Sequence, residues 1–216
     1  MSPILSFIIL IISIVLHEVS HGYAANALGD PTARLQGRLT LNPIKHIDPV
    51  GSVIVPILTT MLSGFTFGWA KPVPYNPHNL QNRRVGEALI AAAGPASNIL
   101  IALIFSFIIR IFTSNILGEA IPSAILGFTG VAFVSALIQV SATIVMVNLV
   151  LAIFNLVPLP PLDGSKILFS LLPRRFAHIR AVLEMYGPIL MFVAVFVIWK
   201  GISPLVPWVF NVFTGI

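Results

Sequence analysis

Cysteine is absent from the 216 residues, which excludes disulfides, thiolate metal sites and cysteine nucleophiles; any metal must be held by His, Asp or Glu. Charge is almost as scarce. Only 9% of residues are charged and 57% are hydrophobic, whereas soluble domains carry about 25% charged residues, so the solvent that fits this composition is a lipid bilayer. There is also no basic helix or aromatic platform. The twelve Lys and Arg behind the net charge of +5 are scattered through short loops between apolar runs, which argues against a nucleic-acid partner and makes them a topology signal. Apolar runs recur along the whole chain and leave no length for a separate soluble domain. The expectation is one membrane-embedded domain over residues 1–216, with a core over residues 4–170 and C-terminal helices over residues 183–216.

The first apolar stretch, from Pro3 to Leu28, lacks a basic n-region and reads as a retained helix that stops at Gly29-Asp30-Pro31. Residues Arg34 to Leu41 alternate polar and apolar, the period of a half-buried strand, until Asn42-Pro43. Val50 to Phe67 is apolar but short and broken by Pro56 and Gly64; the prolines of Trp69 to Tyr75 then permit only an edge strand or an extended segment. Further apolar stretches run from Val85 to Phe112, Gly130 to Leu156 and Leu183 to Trp199, and a short apolar tail from Ile202 to Ile216 either spans or lies at the interface. Because Lys and Arg favour cytoplasmic loops, Arg34, Arg38 and Lys45 before Val50 to Phe67, with Lys71, Arg83 and Arg84 after it, predict a segment that dips in and returns. The loop Ser114 to Thr129, without Lys or Arg, falls outside, and Lys166, Arg174, Arg175 and Arg180 fall inside. The predicted fold is thus all-α and polytopic, with five to six membrane helices and a re-entrant strand or hairpin region between the first and third apolar segments.

Inside the first apolar helix lies His17-Glu18-Val19-Ser20-His21. Histidines four residues apart project from one helical face and can bind one metal ion, and in zinc peptidases with this spacing the adjacent carboxylate acts as general base on water acidified by the metal. Two ordinary core histidines beside a stray carboxylate are the bland alternative. An ionised residue near mid-bilayer costs roughly 2.5–3.5 kcal/mol on insertion scales, which weighs against chance, as does the small supply of five His and seven acidic residues in the chain.

A catalytic zinc site needs a third protein ligand. Asp30 and Asp48 precede prolines in turn-like loops and read as turn formers; Glu87 and Glu119 lie near span ends, where solvation explains them; His46 and His178 sit among basic loop residues; Glu184 opens the last long span. Asp163 differs, because it follows a long apolar span and a Pro-rich break, with Gly164 allowing close backbone approach. Asp163 is the chosen ligand, its competing role being to cap a helix that begins near Ser165. Asn98 and Asn155 are amides at membrane depth that need partners. Either could donate to a developing oxyanion; an interhelical hydrogen bond is the other reading for Asn98.

These residues resemble a known family. His17-Glu18-x-x-His21, Gly94-Pro95-x-x-Asn98 and Asn155-x-x-Pro158-x-x-Pro161-Leu162-Asp163-Gly164 are similar to the three signatures of the site-2 protease family, and the stretches from Gly37 to Pro43 and from Gly68 to Pro74 are similar to its small prokaryotic members. The resemblance covers residues 10–170. It implies one Zn²⁺ per chain held by His17, His21 and Asp163, Glu18 as catalytic carboxylate, Asn155 and Asn98 beside it, and cleavage of transmembrane helices of substrate proteins within a prokaryotic cell membrane. By the charge pattern, the motif and Asp163 lie toward its cytoplasmic half. A cleaved helix must be held extended, and Arg38, Leu39, Thr40, Leu41 and Val73, on the two candidate edge strands, are the expected main-chain binding positions. Unlike larger relatives, the sequence shows no PDZ-type domain between spans and no C-terminal nucleotide-binding pair, so substrate recruitment would fall to another chain. Expected partners are a transmembrane protein substrate and the lipid bilayer, with a homo-oligomer left open. The rival readings are a membrane metal-ion transporter, which would need a second set of intramembrane ligands, and a non-proteolytic relative, for which Glu18 would have no use.

Overall fold

In a computed structural model, the described residues are 2–55, 57, 58, 61, 68–113 and 123–216. The first helix, α1 (Pro3–Ala27), is capped by Ser2, whose Oγ accepts the Leu5 N–H at 3.3 Å, and Pro3 occupies the first turn, where a missing N–H costs nothing. It ends where Gly29 takes φ 101° and Asp30 N–H turns back to the Ala25 carbonyl. After a short helix α2 (Thr32–Leu35) and single helical turns at Pro43–His46 and Pro77–Asn79 come two long helices, α3 (Arg83–Thr113) and α4 (Ser123–Asn155). Then follow α5 (Asp163–Leu171), α6 (Ala177–Met185), α7 (Gly187–Val193), α8 (Trp199–Ile202) and α9 (Leu205–Thr214).

Among the described residues, three helices are long and apolar enough to cross a membrane: Pro3–Ala27, Arg83–Thr113 and Gly130–Asn155, with mean hydropathies of 2.2, 2.0 and 2.3. At 1.5 Å per residue even the shortest reaches about 37 Å, against a hydrocarbon core of about 30 Å. The count rises to four if Ala177–Met185 and Ile189–Ile202, bent by 80°, make one broken span. That is fewer than the five to six expected. The terminal helix α9 has ten residues, about 15 Å, and cannot cross alone. The three long helices pack on one another, and the core between α3, α4 and α9 is Ala102, Ile109, Val145, Leu149 and Val206. On their outer faces Ile4, Phe7, Ile8 and Ile12 of α1 and Leu100, Leu103, Ile104 and Phe107 of α3 are exposed at helical spacing, as side chains facing lipid would be.

No strand occurs among the described residues, which corrects the reading of Arg34 to Leu41. Asp30 overrides the alternation there. Its Oδ1 accepts the Thr32 N–H and Oγ–H, starting α2, and Gly37, at φ 61°, then turns the chain while Arg38 N–H bonds to the Ala33 carbonyl. Residues 68–76 form neither helix nor strand and are held by bonds to other loops, Trp69 N–H to the Gly51 carbonyl and Lys71 N–H to the His46 carbonyl. Much of the predicted re-entrant segment, residues 56, 59, 60 and 62–67, and most of the predicted outer loop, including Glu119, lie outside the described residues.

Asp30 is fully buried and also accepts the Asn76 N–H at 2.6 Å and Asn79 Nδ2 at 2.7 Å, fastening the end of α1 to the loop that leads into α3. Burial alone would raise its carboxyl pKa, but hydrogen bonds from Thr32, Asn79 and Asn76 outweigh this and hold it below the ordinary carboxylate range. A lowered folded-state pKa means a stabilisation present in full above the unfolded value, about 4, and lost as pH falls through the folded one. Asp30→Ala should therefore lower stability at neutral pH by about 2–4 kcal/mol. Thermal melting across pH checks this: the difference from wild type should shrink below about pH 4.

Candidate metal centre

The centre is assembled from α1, α3 and the start of α5. His17 and His21, one turn apart on α1, present Nε2 atoms 3.1 Å from one another. Asp163 Oδ2 lies 3.1 Å from His17 Nε2 and 3.2 Å from His21 Nε2. All three residues are buried in this grouping. Asp163 arrives there because α4 ends at Asn155 and the chain folds back through prolines into α5, whose first turn passes so close to the Leu156 and Val157 carbonyls that a Cβ at Gly164 would collide with them. The Asp163 carboxylate does not cap its helix: Leu162 holds the cap position and no side chain bonds there. Its other oxygen lies 3.6 Å from Lys166 Nζ.

The donor chemistry fits a cation. His21 Nδ1 is 2.6 Å from the Ile90 carbonyl, which can only accept, so Nδ1 carries a proton and, in the neutral ring that binds a metal, Nε2 presents a lone pair. That lone pair faces an acceptor oxygen of Asp163 at 3.2 Å. A cation between them turns opposed lone pairs into ligands. The edges of a zinc tetrahedron with bonds of about 2.0–2.1 Å are about 3.3–3.4 Å, close to the 3.1 to 3.2 Å triangle here. Gly94 of α3 backs directly onto this triangle: a Cβ there would stand 2.5 Å from His21 Cε1 and Nε2 and 2.6 Å from His17 Cε1.

Glu18 is half-buried, and its Oε2 accepts the Val73 N–H at 2.9 Å. Segment 68–76 is thereby tied to the motif helix. Of the other residues expected to bind main chain, Arg38 is buried, with its guanidinium on the Lys71 and Pro72 carbonyls. Leu39 and Val73 pack over Gly22, next to His21; the Thr40 carbonyl meets His46 Nε2 at 2.9 Å; Leu41 is exposed. Asn155 Nδ2 donates to the Leu151 carbonyl one turn back. Asn98 is fully buried, with Nδ2 lacking a protein partner. Glu87, expected to be solvated, is instead buried between Arg83 and Arg180 at 2.9 and 2.8 Å, linking α3 to α6. Sequence reasoning passes over Ser13 and Asn148, although Asn148 shows the same signal, an amide in an apolar run, that singles out Asn98 and Asn155.

Residues 5–198 match the model of peptidase family M50. The chain belongs to that family. The resemblance to site-2 proteases drawn from the three signatures therefore holds, and the M50 match extends beyond it to residue 198. Among curated proteins, "Putative zinc metalloprotease YwhC" of Bacillus subtilis is 40% identical over 88% of this chain and 78% of its own length. "Putative zinc metalloprotease Rip2" of Mycolicibacterium smegmatis is 31% identical over 71% of this chain, and "Zinc metalloprotease MJ0392" of Methanocaldococcus jannaschii is 25% identical over 81% of it. The matches cover 52% and 36% of those two proteins. No solved structure matches the chain.

Proposed function

We propose that this M50 chain is a zinc-dependent intramembrane protease that hydrolyses peptide bonds in or near transmembrane helices of substrate proteins, acting as one membrane-embedded unit over residues 1–216. The observation that carries the reading is the triangle of His17, His21 and Asp163 ligand atoms within an apolar helical bundle. His17, His21 and Asp163 would hold one Zn²⁺, with His21 fixed by the Ile90 carbonyl. When bound, zinc supplies an acidified water and polarises a carbonyl.

The remaining work falls to the chain. Glu18, next to His17, takes the proton of the attacking water and later passes it to the leaving amine. Asn155, eight residues before Asp163, donates its amide to the oxyanion. A substrate helix must open into a strand before its carbonyls can be attacked, and segment 68–76, whose Val73 N–H lies on Glu18, would pair with it by exchanging that bond for one to the substrate, with Arg38, Leu39, Thr40 and Leu41 alongside. Such pairing competes for the Val73 N–H and so frees Glu18 for proton transfer. We place the centre toward the cytoplasmic half of a prokaryotic membrane, on the charge pattern of the loops.

Purified wild type should contain one zinc per chain and cleave a transmembrane reporter. Asp163→Ala and His17→Ala should lose both, with zinc content following reporter cleavage. Zn²⁺ flux into proteoliposomes without reporter cleavage would instead select the transporter reading.

A further inference from the structure

His21 has an acceptor for its second ring nitrogen, the Ile90 carbonyl, whereas His17 Nδ1 is buried with no protein partner. A metal-binding imidazole whose Nε2 is the ligand carries its proton on Nδ1, and that N–H needs an acceptor to fix the ring. A helical side chain covers the turn N-terminal to its own Cα, so the His17 ring lies toward Ser13, which is also buried. Ser13 Oγ accepts Asn148 Nδ2 of α4 at 3.0 Å, and the same nitrogen donates to the Ile144 carbonyl at 2.8 Å. Because a carbonyl can only accept, this fixes which end of the Asn148 amide is nitrogen, and the atom left over is Oδ1. It is buried, an acceptor, and without a partner.

A third unpartnered atom belongs to α3. Ile90 packs with Ala25 and bonds His21, while Gly94 backs onto both His21 and His17, so the two helices run in opposite directions and Asn98, one turn beyond Gly94, comes toward Ser13, one turn before His17. Asn98 Nδ2 is a buried donor. Two donors and one acceptor carried to this part of the bundle match what a buried water requires, two to four polar partners.

We propose that Asn148 is a positioning residue for His17: its Oδ1 takes up the His17 Nδ1–H through one water that Asn98 Nδ2 also binds. The bridge holds the imidazole in the Nδ1–H form, with Nε2 aimed at the metal. The Ile144 carbonyl already fixes the Asn148 amide, so the Ser13 bond is not needed to orient it.

This inference rests on the zinc reading above, and the test keeps the two apart. Zinc affinity of the purified full chain is measured by chelator competition, beside the melting temperature of the zinc-stripped protein. Asn148→Leu, an apolar near-isostere, should weaken zinc binding about 10- to 100-fold with little change in melting. Ser13→Ala should bind zinc within threefold of wild type. In nitrogen-15 spectra of the zinc-loaded wild type, the His17 Nδ1 proton should exchange slowly with solvent, which tests the bridge without any variant. Wild-type affinity in Asn148→Leu, equal losses in both variants, or a rapidly exchanging His17 proton would overturn the proposal. Failure of the wild type itself to bind zinc would instead sink the reading it rests on.

Discussion

Glu18→Gln is expected to keep its zinc and its melting temperature while cleaving a transmembrane reporter about 10²–10⁴-fold more slowly, the usual contribution of a general acid–base group. The substitution is informative because Glu18 has two connections that can be separated. It holds segment 68–76 through the Val73 N–H, and a glutamine carbonyl oxygen can accept that same hydrogen bond. It is not one of the three clustered ligands, so metal binding should not change. What glutamine lacks is basicity. Glu18→Ala would mix the two effects, because it also releases the Val73 amide. Unchanged cleavage by a zinc-loaded Glu18→Gln protein would remove Glu18 from the chemistry.

What could be read in advance follows from how much local sequence dictates. The motif helix was legible because an unbroken apolar run with a Ser-Pro start and a Gly-Asp-Pro end has few alternatives, and because polar residues inside it stand out. That Asp163 would meet the two histidines was legible because it follows a long apolar span and a Pro-rich break. Asp48 behaves as the turn former it resembled, its Oδ1 accepting the Val50 and Gly51 N–H groups. The loops were harder. Arg34 to Leu41 has strand periodicity, but a strand needs a partner, and the interactions that decide the matter come from Asp30 and from a left-handed Gly37. The second partner of His21 could not be foreseen, since the Ile90 carbonyl is a backbone atom that leaves no mark on the sequence. Glu87 was misjudged because its partner Arg180 lies 93 residues away. The expected five to six spans are not reached among the described residues: the apolar tail holds only the ten-residue α9, and much of Val50 to Phe67 lies outside the described residues.

The second large effect is expected at Gly94, a residue that performs no chemistry. Alanine in place of glycine normally stabilises a helix interior by about 0.5–1 kcal/mol, and α3 is helical throughout this region. Here the sign should reverse. The added methyl would stand 2.5 to 2.6 Å from atoms of both imidazoles, closer than carbon atoms can approach, so either the rings turn or α1 and α3 separate. Turning the rings breaks the triangle of ligand atoms, and separating the helices stretches the hydrogen bond from His21 to Ile90. In both cases zinc affinity should fall by at least the 10- to 100-fold typical when a ligand loses its orientation, with cleavage lost alongside and a packing cost of about 1–3 kcal/mol. Gly201 provides the control, being helical with nothing within 4 Å of where a Cβ would stand. Gly201→Ala should leave zinc binding unchanged and stability equal or slightly raised. If Gly94→Ala bound zinc as tightly as Gly201→Ala, the close approach of α3 to the two histidines would not be what shapes the site.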